Sequence, residues 1–295
     1  VRVFVTGGTG FIGSAVVREF LKAGHEVTGL ARSVEAASLL TDMGATPLRG
    51  ELADLDILRR GADGADGVVH TAFIHDFANF EASVRADKLA IDAMGEALAH
   101  SERPLVVAAG VALIAPGRIV TERDERDPKV TFPRVSEETA LALVERGVRV
   151  SAMRLPPSVH GRCDHGFVPR LIAIAQEKSA AAYVGDGRNR WSAVHRFDAA
   201  RLFRLALEQA PAGTRLHAIG DEGVSMREIA ETIGRHLDVP VVSKSTEEAP
   251  EHFGWIANFV AIDAPASGAL TKQRFGWEPS EAGLLADMDD NYFND

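Results

Sequence analysis

Short apolar runs alternate with stretches of helical period through the first half of the chain. Residues 2–6, 26–31, 46–50, 67–71, 105–109 and 148–153 are brief and rich in valine and leucine. Being apolar on both faces, they predict strands of a parallel sheet covered by helices on each side. Between the first two runs Ile12, Val16 and Phe20 recur every fourth residue, flanked by Val17 and Leu21, and Gly24 ends the pattern. That is an amphipathic helix with a glycine stop. Phe80, Val84, Ile91, Met94 and Leu98 mark a longer helix ahead of the fifth strand. Strand and helix in alternation give right-handed crossovers, hence an α/β fold with a Rossmann-type doubly wound parallel sheet.

The rhythm changes after Arg154. A Pro-Pro turn, a loop holding His160, Cys163 and His165, and broken elements up to His195 replace the regular repeat. Helices return over 199–209 and 226–237, the second opened by the capping box Ser225-x-x-Glu228. Residues 216–219 fit one more strand, and the tail from Glu247 reads as mostly helical. The expected organisation is a dinucleotide-binding domain over 1–153, rejoined by about 197–220. A smaller substrate-binding lobe is expected from 154–196 and 221–295. No repeat, low-complexity segment or tether separates them.

Composition narrows the function classes. A length of 295 residues with 46% hydrophobic and 25% charged content can bury a large core. The net charge of −10 provides no basic footprint, so nucleic acid is not an expected partner. The longest uncharged apolar stretch, 105–117, is too short for a membrane span and is broken by glycine and proline. A single cysteine excludes an internal disulfide and fits a reducing compartment. The first residues run straight into a strand, so no signal peptide is expected and the predicted location is cytoplasmic. The expected partners are a small-molecule substrate and, where the chain assembles, a second copy of itself.

Chemistry begins with Val3-Phe-Val-Thr-Gly-Gly-Thr-Gly-Phe-Ile-Gly13. Gly7, Gly10 and Gly13 follow a strand and open a helix whose first residues are Phe11 and Ile12. Such glycines allow a tight turn, close approach of a pyrophosphate and tight helix–strand packing, and the helix N-terminus supplies N–H groups to the anion. A dinucleotide is the predicted ligand. NAD binders place an acid about 20 residues on to hold the ribose 2′-hydroxyl. Here the second strand ends in Leu30-Ala31-Arg32-Ser33. A guanidinium takes a 2′-phosphate in bidentate fashion, so Arg32 with Ser33 favours NADP over NAD.

With these residues in place the chain resembles an extended short-chain dehydrogenase/reductase of the NAD(P)-dependent epimerase/dehydratase type. Further matches are Gly50-Glu51-Leu52, Val68-Val69-His70-Thr71-Ala72, Arg154-Leu155-Pro156-Pro157-Ser158-Val159-His160-Gly161, Gly185-Asp186-Gly187, Val194 through Ala200, and Phe275-Gly276-Trp277-Glu278-Pro279. The resemblance implies that Glu51 and Leu52 flank the adenine. It also implies that Thr71, Ala72 and Phe73 flank the cofactor ribose, and that Pro156 to Val159 face the nicotinamide.

The same resemblance exposes a gap. Family enzymes carry a Tyr-x-x-x-Lys pair and a hydroxyl at the end of the fifth strand. No Tyr-x-x-x-Lys occurs in this chain, which has two tyrosines, Tyr183 and Tyr292. The corresponding segment runs from Phe132 to Glu138, with Pro133 for the tyrosine and Glu137 for the lysine. The fifth strand ends Ala108-Ala109-Gly110-Val111, without a hydroxyl. The chain is thus similar to the atypical members of the superfamily.

Carbonyl reduction still needs a proton donor. The candidates are His75, beside Asp76 in the loop after the fourth strand, together with His160 and Tyr183. Tyr183 and Trp191 also serve as candidate pocket walls. His195 fits a structural position, and Arg190 stands near the place of a phosphate-binding arginine in nucleotide-sugar enzymes. His160, Cys163 and His165 lack a fourth ligand and regular spacing, so no metal is expected. The leading expectation is an NADP-dependent oxidoreductase reducing a small carbonyl or activated double bond. The alternatives are an NADP-reading sensor without chemistry and, third, a nucleotide-sugar epimerase or dehydratase.

Overall fold

The computed structural model describes residues 1–76, 79–127, 129–130 and 132–293. The chain runs β1 (Arg2–Thr6), α1 (Phe11–Lys22), β2 (Glu26–Ala31), α2 (Val34–Asp42), β3 (Thr46–Arg49) and α3 (Leu55–Asp63). It continues β4 (Gly67–His70), α4 (Phe80–Leu98), β5 (Pro104–Gly110), α5 (Ser136–Ala142) and β6 (Arg149–Leu155). Next come β7 (Ser158–His160), α6 (Phe167–Lys178), β8 (Ala181–Val184), β9 (Arg190–His195), α7 (Arg196–Gln209) and β10 (Thr214–His217). β11 (Asp221–Ser225), α8 (Met226–Leu237) and β12 (Val241–Lys244) precede a helical tail of α9 (Ala249–Phe253), α10 (Ala257–Val260), α11 (Ala269–Phe275) and α12 (Leu284–Asn291).

Seven strands form one sheet in the order β10-β6-β5-β4-β1-β2-β3. Pairing is parallel from β3 through β2, β1 and β4 to β5. The order reverses direction at β1, which puts the switch point of the sheet at the carboxyl ends of β1 and β4. Val3, Phe4 and Val5 of β1 are buried, as are Val68 and Val69 of β4, which is why these strands read as unbroken apolar runs. α1 buries Val16, Val17 and Phe20, the face that its four-residue spacing foretold.

Two compact units divide the chain. The first comprises Val1–Ala109, Thr131–Arg154 and Ala199–Leu216, and the second comprises Gly110–Val130, Leu155–Asp198 and His217–Asp295. Residues 110–130, counted with the first half in the sequence, therefore cluster with the second unit. There Val111, Ile114, Ala115 and Val120 join Ile219 and Ala266 in a core of their own.

Within the second unit β9 lies between β7, in parallel, and β11, antiparallel. A separate parallel pair is made by β8 and β12. The Gly-Trp-Glu-Pro segment has a structural use: the Trp277 indole N–H donates to the Asp198 carbonyl at 3.0 Å. The Asp198 carboxylate in turn accepts the N–H groups of Ser280 and Glu281 at 3.0 and 3.1 Å. Among the described residues no helix is long and apolar enough to cross a membrane.

In the first unit Glu137, which the resemblance puts at the lysine position, is part of the frame. Glu137 accepts two hydrogen bonds from the Arg154 guanidinium, both at 2.7 Å, and one from Arg215 Nε at 2.8 Å. Arg154 is fully buried, so its charge needs this partner. Burial alone would raise the Glu137 carboxyl, yet the two arginines outweigh it and hold the group below its usual range. Its contribution to stability is therefore complete above the ordinary carboxylate pKa and is lost as pH falls through the lowered value. Glu137→Gln should cost about 3 kcal/mol in urea unfolding at neutral pH by leaving Arg154 uncompensated. The gap between variant and native protein should narrow as pH falls below the ordinary carboxylate range, through the lowered value at which native Glu137 takes up its proton.

Candidate functional site

The carboxyl end of β1 turns into α1 through the glycines. Gly7 has φ +72°, and a Cβ there would lie 2.7 Å from the Ala72 nitrogen and 2.9 Å from Thr71 Oγ1. Only glycine accepts both constraints. Gly13 is fixed by packing alone, since its Cβ would fall 2.0 Å from the Gly7 carbonyl oxygen. Gly10 is different. It has φ −75° and ψ 173°, open to any residue, and a Cβ would meet only the Gly7 oxygen, at 3.2 Å. The protein's own packing barely requires glycine there, so the bare backbone is left for something arriving from outside. α1 begins at Gly10 without a side-chain cap and carries no acid in its first turn. This is the charge pattern of an anion-binding helix end, and a pyrophosphate fits it.

Thr71, Ala72 and Phe73 leave β4 beside this turn, and the Thr71 hydroxyl donates to the Thr6 carbonyl at 2.8 Å. All three are half-buried. Leu52, half-buried after β3, lines an open groove of about 720 Å³ with Leu55, Phe80, Ala82, Arg85 and Ala86. Its wall mixes apolar side chains with Asn79, Glu81 and Arg85, and the apolar part suits a flat ring such as adenine. Glu51 is exposed and holds the turn through its carbonyl, which accepts the Asp54 N–H at 3.1 Å.

At the tip of β2, Arg32 is exposed and makes no ion pair among the described residues. Ser33 caps α2, its hydroxyl oxygen accepting the Ala36 N–H at 3.1 Å. Glu35 is held below its usual pKa by its own backbone N–H, by the Ser33 hydroxyl and, more weakly, by Arg49. Arg49 stands beside Ala31 in the strand register. Arg49 thus spends part of its field on Glu35, whereas Arg32 has no carboxylate partner among the described residues.

The proton-donor candidates separate. His75 is exposed, its ring edge-on to Phe73 at 5.2 Å. His160 lies at the opposite extreme. It is fully buried in the second unit with Nδ1 2.8 Å from Asp287, joining β7 to α12. A ring so enclosed packs the unit together, and the catalytic expectation for it is withdrawn. Tyr183, on β8, is half-buried with the Arg227 guanidinium 4.8 Å from its ring centroid. Trp191 is buried against Phe167 rather than exposed on a wall. Pro156 is buried and Val159 half-buried, both in the second unit. Arg190 is committed to Asp263, with Nε and Nη2 at 3.0 and 2.9 Å from its two oxygens.

One group of residues was missed by sequence reasoning. His70 Nδ1 lies 2.7 Å from Thr6 Oγ1, and Nε2 lies 3.2 Å from Asp87 Oδ1. The other Asp87 oxygen accepts the Ser136 hydroxyl at 2.5 Å, and Ser136 accepts Arg134 Nε at 2.8 Å. Burial would raise Asp87, but His70, Arg134 and Ser136 together hold it below its usual range. The signal was present: Asp87 falls on the apolar stripe of α4, between Val84 and Ile91. A carboxylate at a core position must find partners.

Fold and site together define an NAD(P)-binding protein of Rossmann type. Residues 3–103 match the model of the NAD dependent epimerase/dehydratase family. An uncharacterized protein of Schizosaccharomyces pombe is 49% identical over 99% of this chain and 100% of its own. The 4-hydroxy-2-methyl-3-oxo-4-farnesyl-3,4-dihydroquinoline-1-oxide ketoreductase of Stigmatella aurantiaca is 27% identical over 90% of this chain and 84% of its own. The solved structure of MoeE5 in complex with UDP-glucose and NAD is similar in fold, with a TM-score of 0.77 at 22% identity over 98% of this chain and 96% of that one. The chain belongs to the NAD-dependent epimerase/dehydratase family, among the extended and atypical short-chain dehydrogenases/reductases.

The glycine geometry separates ligand binding from folding. Gly10→Ala should weaken dinucleotide binding by about tenfold or more, read by calorimetry, while shifting Tm by no more than about 4 °C. Gly13→Ala should instead lower Tm sharply, because its methyl group has no room beside the Gly7 carbonyl.

Proposed function

We propose that the protein is an NADP-dependent oxidoreductase that reduces a small carbonyl or activated double bond with a non-standard proton donor. The observation that carries the cofactor choice is Arg32, exposed at the tip of β2 without a carboxylate partner among the described residues. A 2′-phosphate placed there meets the Arg32 guanidinium. Bound NADPH supplies a hydride. The chain supplies the glycine turn for the pyrophosphate, the groove at Leu52 for the adenine, and a proton for the oxygen that receives charge.

His75 is the proposed donor. It is exposed on the loop leaving β4, at the carboxyl edge of the sheet, and an imidazole exchanges protons with water near neutral pH. The ketoreductase relative favours carbonyl reduction over epimerisation. So does Arg190, whose charge is already balanced by Asp263 and is poorly placed to take up a nucleotide diphosphate. Loss of the tyrosine and lysine favours a second reading, a sensor that binds NADP without turnover. Steady-state oxidation of NADPH by any carbonyl substrate decides between the two.

Calorimetric titration should show NADPH binding more tightly than NADH, and Arg32→Ala should remove most of that preference. Equal or tighter binding of NADH by the native protein would contradict the assignment to Arg32. His75→Gln should lower kcat about 100-fold or more with little change in NADPH affinity. An unchanged kcat would remove His75 from the reaction.

A further inference from the structure

The family lysine is absent, and the glutamate in its place is locked to Arg154 and Arg215. A different cation stands close by in the sequence. We propose that the Arg134 guanidinium is the fixed positive charge that holds the nicotinamide-side ribose of the dinucleotide. This rests on the proposed NADP dependence and deepens it by naming the residue that orients the reactive half of the cofactor.

Placement is the first argument. The Arg134 guanidinium carbon lies 4.0 Å from the centroid of the Phe73 ring, and Nη2 donates to the Ala108 carbonyl at 3.3 Å. Phe73 follows β4 and Ala108 lies near the end of β5, so the charge sits at the carboxyl edge of two adjacent strands. Open α/β sheets bind their ligands along that edge, next to the switch point. Phe73, Phe80 and Phe132 form a ring cluster there, with centroids 5.9 and 5.5 Å apart in succession.

Rigidity is the second argument. An arginine side chain that is loose in the free protein must lose rotamer freedom when a ligand docks. Arg134 has met that cost in the folded protein. Its face rests on Phe73, its Nε is bound to Ser136, and Ser136 is bound in turn to Asp87. Asp87 is held by His70, and His70 by Thr6 of β1, the residue that precedes the glycine turn. The guanidinium is thus tied by four side chains to the turn proposed to hold the pyrophosphate. Stacking uses only the face of the plane, and guanidinium N–H donors lie along its edges, where a ribose diol can accept them.

Charge is the third. The carboxylate that acts on Arg134 is Asp87, which also receives His70 and Ser136. The Ser136 hydroxyl lies between the two in the hydrogen-bond chain, so the network orients the guanidinium through Nε. Ser136 and Asp87 are accordingly positioning residues, acting through Arg134.

Calorimetry with two ligands tests this without any turnover. NADP⁺ carries the nicotinamide half, whereas adenosine 2′,5′-bisphosphate lacks it and reports only on the adenosine end. Arg134→Met should weaken NADP⁺ binding by about tenfold or more, the loss expected for hydrogen bonds from a charged donor. Its affinity for adenosine 2′,5′-bisphosphate should stay as in the native protein, which also certifies the fold. Arg134→Lys should recover part of the loss, and Ser136→Ala should weaken NADP⁺ alone, by less. Native-like NADP⁺ binding by Arg134→Met, or equal loss for both ligands, would overturn the assignment. Native protein that takes up neither ligand would overturn the functional reading itself, and this inference with it.

Discussion

Two carboxylates of the first unit, buried Asp87 and half-buried Glu137, are taken largely out of water and must be met by donors or cations. Asp87 draws in His70, Ser136 and the field of Arg134. Glu137 draws in Arg154 and Arg215. Between them they fix both ends of the stretch from Arg134 to Glu137, which by resemblance corresponds to the family's Tyr-x-x-x-Lys pair. What this stretch can do chemically follows from how those two charges are satisfied.

Glu137 is satisfied inward, by arginines of β6 and β10, and is unavailable to a ligand. Asp87 is satisfied through a chain of side chains that ends on Arg134 over Phe73. Glu137 is thus turned into the frame, while the neighbouring network brings the Arg134 guanidinium to the edge of β4 and β5. A guanidinium stays charged across the accessible pH range even where burial lowers its pKa, as it does here. It can anchor and polarise, but it is a poor proton donor. In the proposed reaction proton delivery falls to a separate group, for which exposed His75 is the proposed donor.

Much of the fold was legible because burial on both faces leaves an unmistakable signature. β1, β2 and α8 were read to the residue, and β5 and β6 to within two residues at either end. The glycine turn was legible as well, since positive φ at Gly7 and close packing at Gly13 leave no other residue possible. Tertiary pairing was not. Nothing local distinguishes His160 bound to Asp287, 127 positions away, from a histidine facing a substrate. Arg190 reads as a free cation until Asp263 is placed beside it. Residues 110–130 carry no periodic pattern that would assign them to either unit. Asp87 is the instructive case: its position on the α4 stripe is visible, but its partners come from β4 and from beyond β5, where no local pattern points to them.

The central claim is that a phosphate-bearing dinucleotide lies on the N-terminus of α1 with its nicotinamide half against Arg134. A crystal structure of the protein with NADP⁺ bound tests it most directly. The account predicts the pyrophosphate on the backbone of Gly10 to Ile12, the 2′-phosphate within about 3.2 Å of an Arg32 nitrogen, and a ribose hydroxyl at similar distance from Arg134. A cofactor seated elsewhere, or one whose nicotinamide ribose lies beyond reach of the Arg134 guanidinium, would contradict it.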